Sequence, residues 1–321
     1  MSKDIHLRQK ISGRFKFQVI ENGHVVEDRP WSDNMILNRF LDGICDSPYP
    51  NIFQFIRYHK IGTGSAAVAA TDTSLQNGTK TTSTRVGGSG NLGSSWAGSV
   101  FTVRQTFDHA EETVNQNYTE HGLSDDSTAS GGGLVRTRAL ISGGTLTVLA
   151  GQQARCIYDI SVTVSPTTAT PASVGGTGWP VTPATTTDGD YILGYKIGLM
   201  GEMDTGGGVA NGSLLLGVSL QTTVQPGTAV TLPAFGGVIS SYGGVGPDIQ
   251  YQRDSYTVGT YTFTIRPNAY ATPASFSSTS INGWVATNAL YSTLVFRYDQ
   301  NQTKANTHKL RYPSITVTWS R

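Results

Sequence analysis

The sequence predicts a mainly β protein: an antiparallel β-sandwich, jelly-roll or immunoglobulin-like, with an N-terminal β-hairpin and one short helix. Three observations point there. Glycine is abundant, 38 of 321 residues, and Thr and Ser crowd the chain. Thr suits a pleated strand, and Gly and Ser suit the turns between strands. Short segments alternate apolar and polar residues and are punctuated by Gly, Asp or Ser, the grammar of a sandwich or barrel. Only one segment carries a clear helical spacing, and the strand–helix alternation of a parallel α/β fold is missing.

The elements follow in order. Phe15-Lys16-Phe17-Gln18-Val19-Ile20 alternates, Asn22-Gly23 turns the chain, and His24-Val25-Val26-Glu27 returns. Asn-Gly signals a type I′ turn, whose two central residues need positive φ. Pro30 ends the returning strand. A helix of about three turns is expected next. Asp33 or Asn34 caps it, Met35, Ile36, Leu37, Phe40, Leu41 and Ile44 form its apolar stripe, and Pro48 and Pro50 stop it. Ile52 to Ile61 reads as a strand entering the sharp loop Ile61-Gly62-Thr63-Gly64-Ser65. Thr71 and Asp72 suggest a capped short helical turn. Thr79 to Ser99, rich in Gly, Ser and Thr, reads as an exposed loop.

From Val100 strand follows strand: Phe101 to Phe107, Asn117 to Leu123, Leu134 to Ile141, Thr145 to Leu149 and Ala154 to Val164. Ser165 to Asp190 is a Pro/Thr/Gly stretch and the best boundary. Strands resume at Tyr191 to Leu199, Leu214 to Thr223, Tyr256 to Ile265, Ser292 to Tyr298 and Ser314 to Trp319. Gly236 to Gly246 is a further glycine-rich loop. The chain is therefore read as three stretches. Residues 1–45 are a hairpin–helix docking segment, 46–165 a β-sandwich body, and 166–321 a second β-rich half that can belong to the same sandwich. No fixed-length repeat and no heptad pattern appears.

Charge excludes some functions. Charged residues make up 14% of the chain and the net charge is +1, against roughly 25% charged in an average domain. That leaves no electrostatic footprint for nucleic acid or an anionic membrane. Low charge density also means little repulsion between copies. No run approaches the roughly 20 apolar residues of a membrane span. Met1-Ser2-Lys3-Asp4 lacks the apolar core of a secretory signal, so synthesis and assembly in a cytoplasm are expected.

Candidate chemistry is thin. Gly88-Ser89-Gly90-Asn91-Leu92-Gly93 matches GxGxxG but lacks the preceding strand and following helix that a dinucleotide site requires. Asp108-His109-Ala110-Glu111-Glu112 is an acidic cluster with one His. A solvated turn explains it more simply than a metal does. Asp125-Asp126 and Asp188-Gly189-Asp190 lack the spaced ligands and distal Glu of a calcium loop. His6, His24, His59, His109, His121 and His308 form no HxH or HExxH, and no GxSxG elbow supports a serine triad. Cys45 and Cys156 form no CxxC. They read as two buried free thiols, with a disulfide as the alternative. Trp31, Trp96, Trp179, Trp284, Trp319 and the tyrosines can stack on sugars, but aromatics at strand positions more often fill cores and interfaces. No catalytic, cofactor-binding or metal residue is therefore expected, and no cofactor.

Two groups of motifs carry a resemblance. One is Ile61-Gly62-Thr63-Gly64-Ser65 with Ala70-Thr71-Asp72-Thr73-Ser74-Leu75. The other is Asn117-Tyr118-Thr119-Glu120-His121-Gly122-Leu123, then Leu134-Val135-Arg136-Thr137-Arg138-Ala139-Leu140, Leu146-Thr147-Val148 and Tyr158-Asp159-Ile160-Ser161-Val162. In that order they resemble tailed-bacteriophage virion structural proteins of the tail-fibre, minor tail or neck-associated type. Such proteins open with a hairpin and an Asn-initiated helix, and often end near a Trp-Ser-Arg like Trp319-Ser320-Arg321. One departure is His121, where an aliphatic residue is commoner.

The resemblance implies a non-enzymatic virion component: a tail or neck/collar subunit, adaptor or fibre base, forming a symmetric homo-oligomer with other virion proteins. The alternatives are a receptor- or glycan-binding tail protein, with its site sought in the unmatched stretch Ser165 to Tyr291, and a capsid decoration protein.

Overall fold

The computed structural model describes residues 5–46, 55–87, 93–97, 100–128, 133–165, 192–194, 220–226, 251–267, 279–288, 293–304 and 315–321. The fold is mainly β and antiparallel. The chain divides into two compact units. One comprises residues 10–44 and 51–163 with Arg321, the other residues 1–9, 45–50 and 164–320. The units are taken in turn.

In the first, β1 (Ile5–Glu21) and β2 (His24–Asp28) form the expected hairpin. Asn22 and Gly23 hold φ of 49° and 79°, as a type I′ turn demands. Along β1, Ile11, Phe15, Phe17 and Val19 point inward while Lys10, Ser12 and Arg14 point out, the two-residue period of a half-buried strand.

The next element corrects the sequence reading. Ser32–Ile36 is a strand, β3, and helix α1 spans only Asn38–Asp46. Asp33 and Asn34 are therefore not caps; they pair with Arg14 and Gly13 of β1. β3 lies between β1 and β10 (Thr137–Leu140). Two ladders of backbone hydrogen bonds outweigh the one-sided helical pattern of Met35-Ile36-Leu37. Ile36 is buried and Met35 exposed, as alternation requires. The helix keeps the rest of the stripe, with Phe40, Leu41 and Ile44 fully buried.

The unit continues with β4 (Tyr58–Gly62), β5 (Gly78–Thr82), β6 (Gly93–Ala97), β7 (Val100–Asp108), β8 (Gln116–Tyr118) and β9 (Glu120–Ser124). It ends with β11 (Leu146–Val148) and β12 (Gln152–Ser165). Its main sheet runs β5-β4-β9-β10-β3-β1-β12-β7-β6, with β8 and β11 as a separate pair. Several boundaries differ from expectation. The strand expected from Ile52 begins at Tyr58, Thr71 and Asp72 lie in a turn without helix, and Asn117 to Leu123 splits between β8 and β9. The expected loop from Thr79 to Ser99 contains β5 and β6 instead. Among the described strands, β5 pairs only with β4, and β6 only with β7. Edge strands need no buried face, so their Thr, Lys and Ser content hid them.

In the second unit, β13 (Ile192–Gly194), β14 (Leu220–Pro226), β17 (Thr279–Asn288) and β18 (Thr293–Lys304) form a four-stranded sheet of order β13-β18-β17-β14. β15 (Tyr251–Arg253), β16 (Thr262–Pro267) and β19 (Ile315–Ser320) pair in sequence. Here alternation is plain. Thr262 faces Thr318 and Thr264 faces Thr316, their hydroxyls 3.1 and 3.0 Å apart. Phe263 and Val317, one residue over, are buried. The terminal strand expected at Ser314 to Trp319 is this β19. The expected loops at 166–190 and 236–246 lie outside the described residues.

Candidate functional site

A row of three imidazoles and one thiol lies inside the first unit. His59 is on β4 and His121 on β9, where His59 opposes Leu123 and His121 opposes Ile61. A two-residue offset on neighbouring strands puts both rings on one face. His109 follows β7 and is fixed by its own N–H, which donates to the Ala154 carbonyl at 2.9 Å. Cys156 sits on β12 opposite Phe107 of β7. All four side chains are buried.

His59 occupies the centre. Its Nδ1 is 2.8 Å from Nε2 of His109, and its Nε2 is 3.2 Å from Nδ1 of His121. His59, His121 and Cys156 each offer a ligand atom within 4.8 Å of the others. Phenyl rings wall the row. Phe15 lies 3.9 Å from His121 and Phe17 5.1 Å, measured between centroids, and Phe107 stacks on His59 at 5.7 Å.

This environment decides protonation. Burial pulls His59 down to about 3. Burial likewise holds His121 and His109 well below the ordinary imidazole range, with neighbouring His59 adding to the effect. All three rings are therefore neutral at pH 7, with three protons for six nitrogens. Two protons make the two hydrogen bonds. The third must sit on Nδ1 of His109 or Nε2 of His121, both buried and without a hydrogen-bond partner among the described residues. Either choice leaves one buried N–H without an acceptor and one bare lone pair, at a cost of about 1–3 kcal/mol for such a group. Burial also pushes the Cys156 thiol well up, so the uncomplexed residue is a thiol and a poor nucleophile. Neither Cys45 nor Cys156 forms a disulfide among the described residues.

Around the row the charged residues are organised as structural clamps. Asp159 of β12, fully buried, accepts from Arg104 of β7 at 2.7 and 2.8 Å and from Arg14 of β1 at 2.8 and 3.0 Å. Both guanidinium groups lie over the Trp31 ring, 4.6 Å from its centroid for Arg14 and 5.1 Å for Arg104. Glu120 of β9, also fully buried, takes the backbone N–H of Gly64, Gln76 and Asn77 at 3.1, 3.0 and 2.7 Å. Arg138 joins it at 2.9 Å and reaches on to Asp72 at 2.7 Å. A Cβ on Gly64 would collide with the Glu120 carboxylate. That explains Gly64 and Asp72, two residues of the motifs that carry the resemblance.

The acidic cluster around His109 is not the solvated turn its composition suggests. Asp108 pairs with Arg155 at 2.6 Å, and Glu112 is buried, accepting from Tyr118 at 2.6 Å and Lys80 at 2.7 Å. Asp125 and Asp126 are occupied too. Asp125 binds Arg39 and Arg136, and Asp126 accepts from Thr128 and Leu134. Trp319 is buried and presents no open stacking face, while Trp31 is part-buried with two guanidinium groups against its ring. Asp188 to Asp190, Trp179 and residues 88–92 of the GxGxxG stretch lie outside the described residues. Gly93, its last residue, opens strand β6.

Sequence reading weighed His59, His121 and Cys156 only as isolated residues, because they lie on separate strands with no local motif. A usable signal existed in the alternation. His59 shares phase with Ile61, His121 with Leu123, and Cys156 with Tyr158 and Ile160. Each partner is core, so each polar residue had to point inward.

No protein family matches the chain, and neither a curated protein nor a solved structure does.

Proposed function

We propose that the chain is a non-enzymatic structural subunit of a tailed-phage virion. It serves as a tail or neck/collar component, adaptor or fibre base, assembled in the host cytoplasm as a symmetric oligomer. The supporting observation is strand β2. It pairs only with β1 among the described strands, so one side of its backbone is an open edge. Val25 and Val26 on it are 48% and 51% exposed.

Monomeric proteins usually guard such an edge with charge or proline. Here the hairpin charges are neutralised internally. Lys16 pairs with Asp28 at 3.0 Å and Arg29 with Glu27 at 2.6 Å. What the strand offers a neighbour is an edge unpaired among the described strands, with Val25 and Val26 exposed beside the paired charges of Glu27 and Asp28. A second copy, or another virion protein, can add a strand there, and closed rotational symmetry uses every such edge without runaway growth.

The test is a Val25→Lys, Val26→Lys double variant. Both side chains are already exposed, so the chain should stay folded. The expected result is loss of the oligomer in solution and absence of the protein from purified particles. An unchanged oligomer and normal incorporation would refute the reading. Imaging of particles carrying the wild-type chain distinguishes neck or tail from head.

A further inference from the structure

The geometry points to a transition-metal site within the imidazole row: His59 Nε2, His121 Nδ1 and Cys156 Sγ hold one thiophilic first-row ion, copper(I) ahead of zinc.

Four observations carry this. The first is spacing. Two nitrogens bound to one ion at 2.0–2.1 Å stand about 3.3 Å apart at tetrahedral angles and about 3.5 Å apart at trigonal ones. His59 Nε2 and His121 Nδ1 are 3.2 Å apart, with a Cys156 donor within the same 4.8 Å group. The second is orientation. A histidine that binds metal through one nitrogen usually donates from the other to a fixed acceptor. His59 Nδ1 already faces His109 Nε2 at 2.8 Å. His109 is thus a positioning residue, held by its own backbone bond to Ala154.

The third is tautomer freedom. For Nδ1 of His121 to be the ligand, its proton must sit on Nε2. That atom is buried and has, among the described residues, no partner that would impose the opposite tautomer. The fourth is the donor set. Two imidazoles and a thiolate suit zinc and copper and do not suit magnesium or calcium, which take oxygen ligands.

Charge separates the two candidates. Binding releases the thiol proton, so Cys–SH and M⁺ give Cys–S–M and one H⁺. The site then carries no net charge with copper(I), and one positive charge with zinc. Phe15, Phe17 and Phe107 wall the row, and an uncompensated charge among them is costly. Three ligands also complete a trigonal copper(I) site, whereas structural zinc is almost always four-coordinate.

The full-length protein, purified under reducing conditions and stripped with chelator, is offered copper(I) and zinc separately. It is then desalted and its metal content measured. About one ion per chain should be retained, with release of about one proton. Cys45→Ser, which touches the other buried thiol, should retain it. Cys156→Ser and His121→Gln should lose it while keeping the wild-type circular dichroism. His109→Gln should still bind, about 10–100-fold more weakly.

Cobalt(II) supplies a check that needs no variant. A thiolate-to-cobalt charge-transfer band in the wild-type protein supports ligation by Cys156, and the Cys45→Ser variant should keep that band. Retention of neither ion, equal retention by Cys156→Ser, or no cobalt band would overturn the site. Zinc retained in preference to copper would uphold the site and overturn the choice of ion.

Discussion

Glu120 and His121 are adjacent on β9 and do opposite things. Glu120 gathers three backbone N–H groups and Arg138 on one face of the strand, and His121 joins the apolar row on the other. Replacing Glu120 with Gln leaves one acceptor oxygen and turns an amide NH₂ toward backbone donors. The expected loss is about 2–4 kcal/mol by urea unfolding, since hydrogen bonds to a charged group are the strong ones. Asp159→Asn should cost a similar amount, about 2–4 kcal/mol. The carboxylate is fully buried and leaves two arginines uncompensated, but Arg14 is half exposed and keeps its water, which holds the loss below that of a fully buried pair. Neither role was legible in the sequence. An isolated Glu or Asp in a strand reads as solvent-facing, and only the register shows that the loop from Thr63 to Asn77 folds back over Glu120. Gly64 was legible as a turn residue, not as the space a carboxylate fills.

At the scale of elements, legibility followed backbone chemistry. The Asn22-Gly23 hairpin was read correctly because its φ requirement is local. Gly23→Ala should cost about 1 kcal/mol and no more. The position needs φ of 79° but has open space around a Cβ. Strands with one buried face, such as β7 and β12, were found by alternation. Edge strands β5 and β6 were missed because their Gly, Ser and Thr content reads as loop, and β3 was mistaken for helix because one of its two ladders comes from a strand about a hundred residues away. That last difference bears on residues 1–45, read from sequence as a docking segment. Phe15 and Phe17 of β1 and Leu37, Phe40 and Ile44 around α1 are core residues. Removing residues 1–45 should therefore give insoluble protein in place of a soluble body that merely fails to dock. Docking is better tested at the exposed valines of β2.

For the whole molecule, the row predicts a pH window. In the unfolded chain each histidine titrates near pH 6.5, roughly its ordinary value. In the folded chain His59 does so at about 3, and His109 and His121 well below the ordinary value. Below pH ~6.5 the unfolded chain takes up protons that the folded chain refuses, so stability is full above that pH and falls as pH drops toward 3. Each histidine contributes about 1.4 kcal/mol per pH unit, or about 4 for the three together. Urea midpoints should already fall between pH 6 and 5. Asp72 and Asp125, held down by hydrogen bonds and Arg partners, and Asp126, held down by hydrogen bonds from Thr128 and Leu134 and by Lys60, begin to matter only below pH ~4. His109→Gln should reduce the slope above pH 5 by about a third, whereas a midpoint unchanged from pH 7 to 5 would mean the rings are not buried neutral.

The row also obeys something like the ice rules. Its two hydrogen bonds can both point from His109 toward His121 or both point back, and each order is the mirror of the other in where the spare proton waits. Reversing the order moves each bridging proton across its bond, and it balances only if one end of the row gives up a proton while the other end takes one up. A metal on His59 and His121 abolishes the choice, because His59 must then donate toward His109. The metal-free core should therefore show exchange-averaged ring nitrogens in magnetic resonance, and the filled core one frozen polarity.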